Sequence, residues 1–228
     1  MLGFIDIHTH KSTSQNHTFI QSRFIENIKV SDKALIPYST GIHPWNIAKI
    51  KVKEQLKVLG YMARNPLVIA IGECGIDRAI PINVERQIDI FEAHIRIANQ
   101  VDKPLIIHNV RAFADFLQLI KTHKPHTPWI FHAYTGNLRI AKELIKEGAF
   151  LSFGHHLLIE TSKASSVFKE IPLENIFLET DDWDGNIEQI YIRAAELKGI
   201  SIVELRDRIY QNYQRVFNLN KHNQLVNK

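Results

Sequence analysis

The sequence predicts an α/β protein whose parallel strands form a sheet covered on both faces or closed into a barrel. Three observations carry that expectation. Short apolar runs alternate with longer stretches of helical periodicity along the chain, the pattern of repeated βαβ units. Most of the runs are nearly continuously apolar, as strands buried on both faces must be. Finally, run after run ends in a residue able to bind a metal or move a proton: His8, His10, His43, Glu73, His108, His132, His155 and Asp181. Parallel barrels collect function at the C-terminal ends of their strands.

The first strand is Phe4 to His10, where residues two apart share a face, so His8 and His10 present their rings together. A polar stretch, Lys11 to Thr18, leads into Phe19 to Ile28, read as a strand. Ala34 to Ile42 is the next strand, closed by His43-Pro44-Trp45. Ile47 to Arg64 has apolar residues at helical spacing and stops at Asn65-Pro66. Leu67 to Ile71 is a short strand ending in Gly72-Glu73-Cys74-Gly75, and Glu85 to Gln100 is a helix.

The alternation continues to the end of the chain. Strands are expected at Pro104–Ile107, Trp129–Phe131, Phe150–Phe153 and Asn175–Leu178, ending at His108, His132, Gly154-His155-His156 and Glu179-Thr180-Asp181. Helices are expected at Ala112–Lys121, Leu138–Glu147, Ser162–Glu170, Ile187–Lys198 and Ile202–Phe217, before a polar tail expected to fray.

Composition narrows the class. The chain has 228 residues, 45% of them hydrophobic, which suffices for one domain spanning 1–228 with a single core. No apolar run has the length of a membrane span. The start of the sequence has no signal-peptide pattern, and the single Cys74 excludes an internal disulfide, so the expected location is cytoplasmic. A net charge of +4 permits an anionic partner.

Closing the barrel would bring His8, His10, Glu73, His108, His132 and Asp181 to one mouth. Their imidazoles and carboxylates are enough for two divalent ions, and the mixed nitrogen and oxygen set suits zinc or manganese more naturally than magnesium. Paired ions clamp the attacking and leaving oxygens of a hydrolysis. The ligands alone do not name the substrate.

Ile5-Asp6-Ile7-His8-Thr9-His10, Gly41-Ile42-His43-Pro44-Trp45, Gly72-Glu73-Cys74-Gly75-Ile76-Asp77, Ile107-His108 with Arg111, His132-Ala133-Tyr134-Thr135-Gly136 and Glu179-Thr180-Asp181 occur in that order. Together they resemble the TatD-type metal-dependent hydrolases. The resemblance implies a TIM-like (β/α) barrel with a dinuclear centre of Mg, Mn or Zn. By that likeness His8, His10, Glu73 and Asp181 hold one ion, and Glu73, His108 and His132 hold the other, with Glu73 bridging. Asp181 would orient or deprotonate the attacking water, and His43 would face the scissile phosphate with Arg111 as a second phosphate contact. The implied activity is hydrolysis of phosphodiesters in DNA, often exonucleolytic, on single-stranded ends. Lys11, Arg78 and Arg139 are candidate backbone contacts, and Trp183 and Tyr134 candidate stacking rings.

The chain departs from the family pattern between His10 and Gly41, where the short span predicts that a βα unit, or part of one, is missing and that the barrel is incomplete. Asp182-Trp183-Asp184-Gly185-Asn186 also makes a short, acidic loop after Asp181, and His155 and His156 are extra candidate site groups. Two further readings therefore stand beside the nuclease. One keeps the metals and hydrolyses an amide, lactone or ester of a small molecule. The other is a non-catalytic, metal-buffering barrel.

Overall fold

The computed structural model describes residues 3–11, 17–28 and 36–217. Eight strands run in sequence order through one sheet, every neighbouring pair parallel: β1 (Ile5–Thr9), β2 (Thr18–Phe24), β3 (Tyr38–Gly41), β4 (Val68–Asp77), β5 (Leu105–Val110), β6 (Trp129–Phe131), β7 (Phe150–Phe153) and β8 (Ile176–Leu178). Past the end of β8, Asp181 bridges to Thr9 of β1, its N–H donating to the His8 carbonyl at 2.9 Å and its carbonyl accepting from His10 N–H at 3.2 Å. The barrel is thereby nearly closed. Buried Asp6 reinforces the seam by accepting from the backbone N–H and the hydroxyl of Thr180 at 3.0 and 2.6 Å.

Helices α1 (Val52–Met62), α2 (Val84–Val101), α3 (Phe113–His123), α4 (Leu138–Lys146), α5 (Lys163–Glu170), α6 (Ile187–Lys198) and α7 (Ile202–Phe217) accompany the strands from β3 onward. Asn83, Asn137, Ser162 and Asn186 cap α2, α4, α5 and α6 by accepting first-turn N–H groups. Phe91 of α2 packs edge-on against Phe116 of α3 and Trp129 of β6, with ring centroids 5.1 and 5.3 Å apart. All three rings are buried, each contributing about 1.5–3 kcal/mol or more by area removed from water. No helix among the described residues is long and apolar enough to cross a membrane.

The short span between His10 and Gly41 does not reduce the strand count. β2 and β3 are present and paired, while the described residues between β1 and β3 outside the strands hold only a 3-10 turn, Ile25–Asn27. The expected strand Phe19–Ile28 is accordingly Thr18–Phe24 plus that turn, and of Ala34–Ile42 the strand occupies Tyr38–Gly41; residues 34 and 35 lie outside the described residues, as do 12–16 and the tail at 218–228. The helix expected at Ile47–Arg64 is confined to Val52–Met62, and a 3-10 turn, Pro44–Asn46, precedes it.

β4 departs most from expectation. It does not stop at Ile71 but runs on to Asp77, all ten residues buried. Its register against β5 slips between Ile71 and Cys74, a bulge that re-aims side chains, and Glu73 lies within it. Gly75, at φ 155°, lets the strands close up there, because a Cβ would collide with the His108 carbonyl. β1 has a matching slip between Asp6 and Thr9, around His8.

Candidate metal centre

Glu73 is the hub of the barrel mouth, and its two oxygens face different partners. Oε1 lies 2.8 Å from His108 Nδ1, 2.8 Å from His132 Nε2 and 3.1 Å from His43 Nε2. Oε2 lies 3.5 Å from both His8 Nε2 and His10 Nε2. Asp181 Oδ1 completes that second group, 3.5 Å from His8 and 3.4 Å from His10. The structure thus gathers every expected ligand, and it also draws His43 into the cluster. Arg111 stays outside: exposed, with φ 56°, it is not among the residues lining the cavity of about 640 Å³ above Glu73.

Which hydrogen each imidazole carries follows from the group behind it. His108 stands between two carboxylates, Nδ1 2.8 Å from Glu73 Oε1 and Nε2 3.2 Å from Asp77 Oδ2, so Asp77 is placed to hold its proton when Nδ1 is given to a metal ion. Glu179, fully buried, stands 3.7 Å behind His132 Nδ1 and leaves Nε2 facing inward. His43 is the reverse case. Its Nδ1 accepts the Trp45 backbone N–H at 3.1 Å, so the neutral ring carries its proton on Nε2 and offers the mouth a donor. Burial lowers the pKa of His43 and favours that neutral ring.

The remaining charges hold one another. Burial works against ionisation of Glu73, but the His132 charge and the ring nitrogens of His10, His108 and His132 outweigh it and keep its carboxyl well below the usual range. Burial likewise opposes the Asp181 carboxylate, and His10 and His8 prevail, holding its pKa down. Contact with Asp181 and then with Glu73 raises His10 to about 9.

These residues fit a divalent ion. Three groups, His8–His10–Asp181, His8–Glu73–His132 and His43–Glu73–His108, each keep their donor atoms within 4.8 Å of one another. His8 Nε2 is buried without a hydrogen bond, although it faces two carboxylates. The spacings of 3.4–3.5 Å from His8 and His10 to these carboxylates match the roughly 3.4 Å between donors of a tetrahedral site with bonds near 2.1 Å.

Sequence reasoning missed four supporting groups. Asp77 and Glu179 lie within the quoted motifs. Gln87 of α2 pins Asp77 by accepting its N–H at 2.7 Å and donating to its carbonyl at 3.0 Å. His94, also on α2, accepts the Ile42 N–H at 2.9 Å and donates to the Ile90 carbonyl at 2.7 Å. Tyr134 is not a stacking ring: it is buried, its hydroxyl donating to the Asn137 carbonyl. Lys11, Arg78 and Arg139 are each engaged by a carboxylate, those of Asp184, Asp115 and Glu143. His156 and Asp182 line the cavity, whereas His155 stacks on Trp183 at 6.0 Å.

A family profile described as "TatD related DNase" matches residues 10–218. The chain belongs to this family. Among its TatD relatives, the uncharacterized metal-dependent hydrolase YabD of Bacillus subtilis is 27% identical over 217 residues, covering 87% of this chain and 83% of its own. The human 3'-5' RNA nuclease TATDN2 is 31% identical over 147 residues, 62% of this chain and 19% of that protein. In fold, the chain is similar to the TatD homolog YJJV of Escherichia coli, with a TM-score of 0.80 at 21% identity over 94% of this chain and 98% of that one. This TatD-type chain is a metal-dependent hydrolase with histidine, glutamate and aspartate groups placed to bind the metal.

Proposed function

We propose that the chain is a two-metal phosphodiesterase that hydrolyses nucleic acid from single-stranded ends, DNA being the expected substrate. The observation that carries the reading is Glu73, whose two oxygens face separate sets of ligands. The family profile and the nuclease relative support it. His8, His10, Glu73 Oε2 and Asp181 would hold one divalent ion, and Glu73 Oε1, His108 and His132 the other, with Mg, Mn or Zn as candidates. Such a pair supplies activated water near neutral pH and neutralises charge on the attacking and leaving oxygens.

The chain's own groups do the rest. Asp181 Oδ1 is taken up by His8 and His10, and its other oxygen is left to accept the proton of the attacking water. His43 donates from Nε2 to a phosphate oxygen, the role its tautomer fits better than metal ligation. Arg111, uncommitted to any carboxylate among the described residues, provides a second phosphate contact at the rim. The barrel mouth offers the reacting bond a cavity lined by Glu73, Asp181 and His43.

The test is cleavage of a short single-stranded DNA with added Mn or Mg, beside a small ester substrate and with Asp181→Asn as control. Shortening of the DNA that needs metal and is lost in the variant is expected. Ester turnover that depends on Asp181, without any DNA cleavage, would overturn the nuclease reading in favour of a small-molecule hydrolase.

A further inference from the structure

Trp45 stands apart from the chain's other two tryptophans. It is 56% exposed, whereas Trp129 is buried and Trp183 packs against Gly185. Exposure does not leave it loose. Its indole N–H donates to Asp77 Oδ2 at 2.7 Å, the same oxygen that faces His108 Nε2 at 3.2 Å. Its ring meets His43 edge-on, with centroids 4.9 Å apart at 80°, and it lines the cavity with Glu73 and Asp181. A large ring fixed by its polar handle, its apolar face bare to water beside the reacting centre, is prepared to take a flat partner.

The charges around the mouth point the same way. Lys11, Arg78 and Arg139 are each paired with a carboxylate, and Asp182 adds an acid to the lining. Of the four cations expected to meet phosphate, Arg111 alone is unpaired with a carboxylate among the described residues, so part of the affinity must come from elsewhere. We propose that Trp45 is a stacking platform for a nucleobase next to the scissile phosphate, and that it restricts the enzyme to strands whose bases are unstacked. This rests on the phosphodiesterase reading above.

The experiment compares a radiolabelled single-stranded DNA with a counterpart built wholly of abasic tetrahydrofuran residues, using Mn-loaded wild type, Trp45→Ala and Trp45→Phe. In wild type, KM for the abasic strand should exceed that for DNA by about 5- to 150-fold, the range that stacking of a base on an aromatic ring supplies. In Trp45→Ala the ratio should fall to within about twofold of one, and Trp45→Phe, which keeps a ring, should retain most of it. An unchanged ratio in Trp45→Ala would overturn the platform and leave the phosphodiesterase standing. Cleavage of neither strand by wild type would overturn both.

Discussion

The two sides of Glu73 are built differently. On the Oε1 side, His108 and His132 each have a carboxylate behind them, and their inward nitrogens close on the glutamate at 2.8 Å. On the Oε2 side, His8 has no partner behind its ring, its Nδ1 being buried and unbonded. His10 is partly exposed, and both rings stand 3.4–3.5 Å from their carboxylates. One side has a carboxylate behind each ring, hydrogen-bonded at His108 and 3.7 Å away at His132, and the other is spaced for a ligand. A braced ring loses little freedom on binding metal, so the Oε1 side should bind its ion more tightly and the Oε2 side should exchange its ion first.

Five substitutions test that contrast. Glu73→Gln removes what the sides share: activity should fall about 1,000-fold or more, and metal analysis should find both ions lost. A variant still holding two ions would break the comparison. Asp181→Asn touches only the open side and should lower kcat about 100- to 10,000-fold with an unchanged circular dichroism spectrum.

The brace behind the His43 turn is next. Burial first of all depresses His94 to about 4 from an ordinary 6.5. The neutral ring's contribution is therefore complete above pH 6.5 and lost as pH falls toward 4, about 3 kcal/mol in all. Urea unfolding across that range should reveal the loss, and in His94→Gln it should shrink. Smallest are Asp77→Asn and Glu179→Gln, each expected to weaken metal binding about 10- to 100-fold on the braced side alone. Isothermal titration that found the open side weakened equally would erase the distinction.

The clustering of the candidate ligands was legible in the sequence because each ends or interrupts an apolar run, where a histidine or acid has few structural uses. The strands were legible for the same reason. The braces were not, because their role depends on which ring nitrogen faces them, and spacing does not reveal that. Gln87 and His94 are a helix's contribution to two strand ends, and only the packing of α2 on β3 and β4 brings them there. The extent of β4 was hidden by its glycines, which read as a strand's end yet permit the bulge that holds Glu73. Between His10 and Gly41 the short span suggested that a βα unit, or part of one, is lost; β2 and β3 are both present and paired, so no strand of the ladder is missing from the described residues.

The seam between β1 and Asp181 also sets the order of events when the chain is made. Every imidazole of the cluster leaves the ribosome before residues 179–181 exist, yet Thr9, His8 and Asp6 wait for those residues to complete their pairing. A nascent chain that ends short of them lacks Asp181, lacks the carboxylate behind His132, and leaves β1 with one open edge. A partial chain therefore lacks part of the candidate centre, whose last carboxylate arrives with the residues that bridge back to β1.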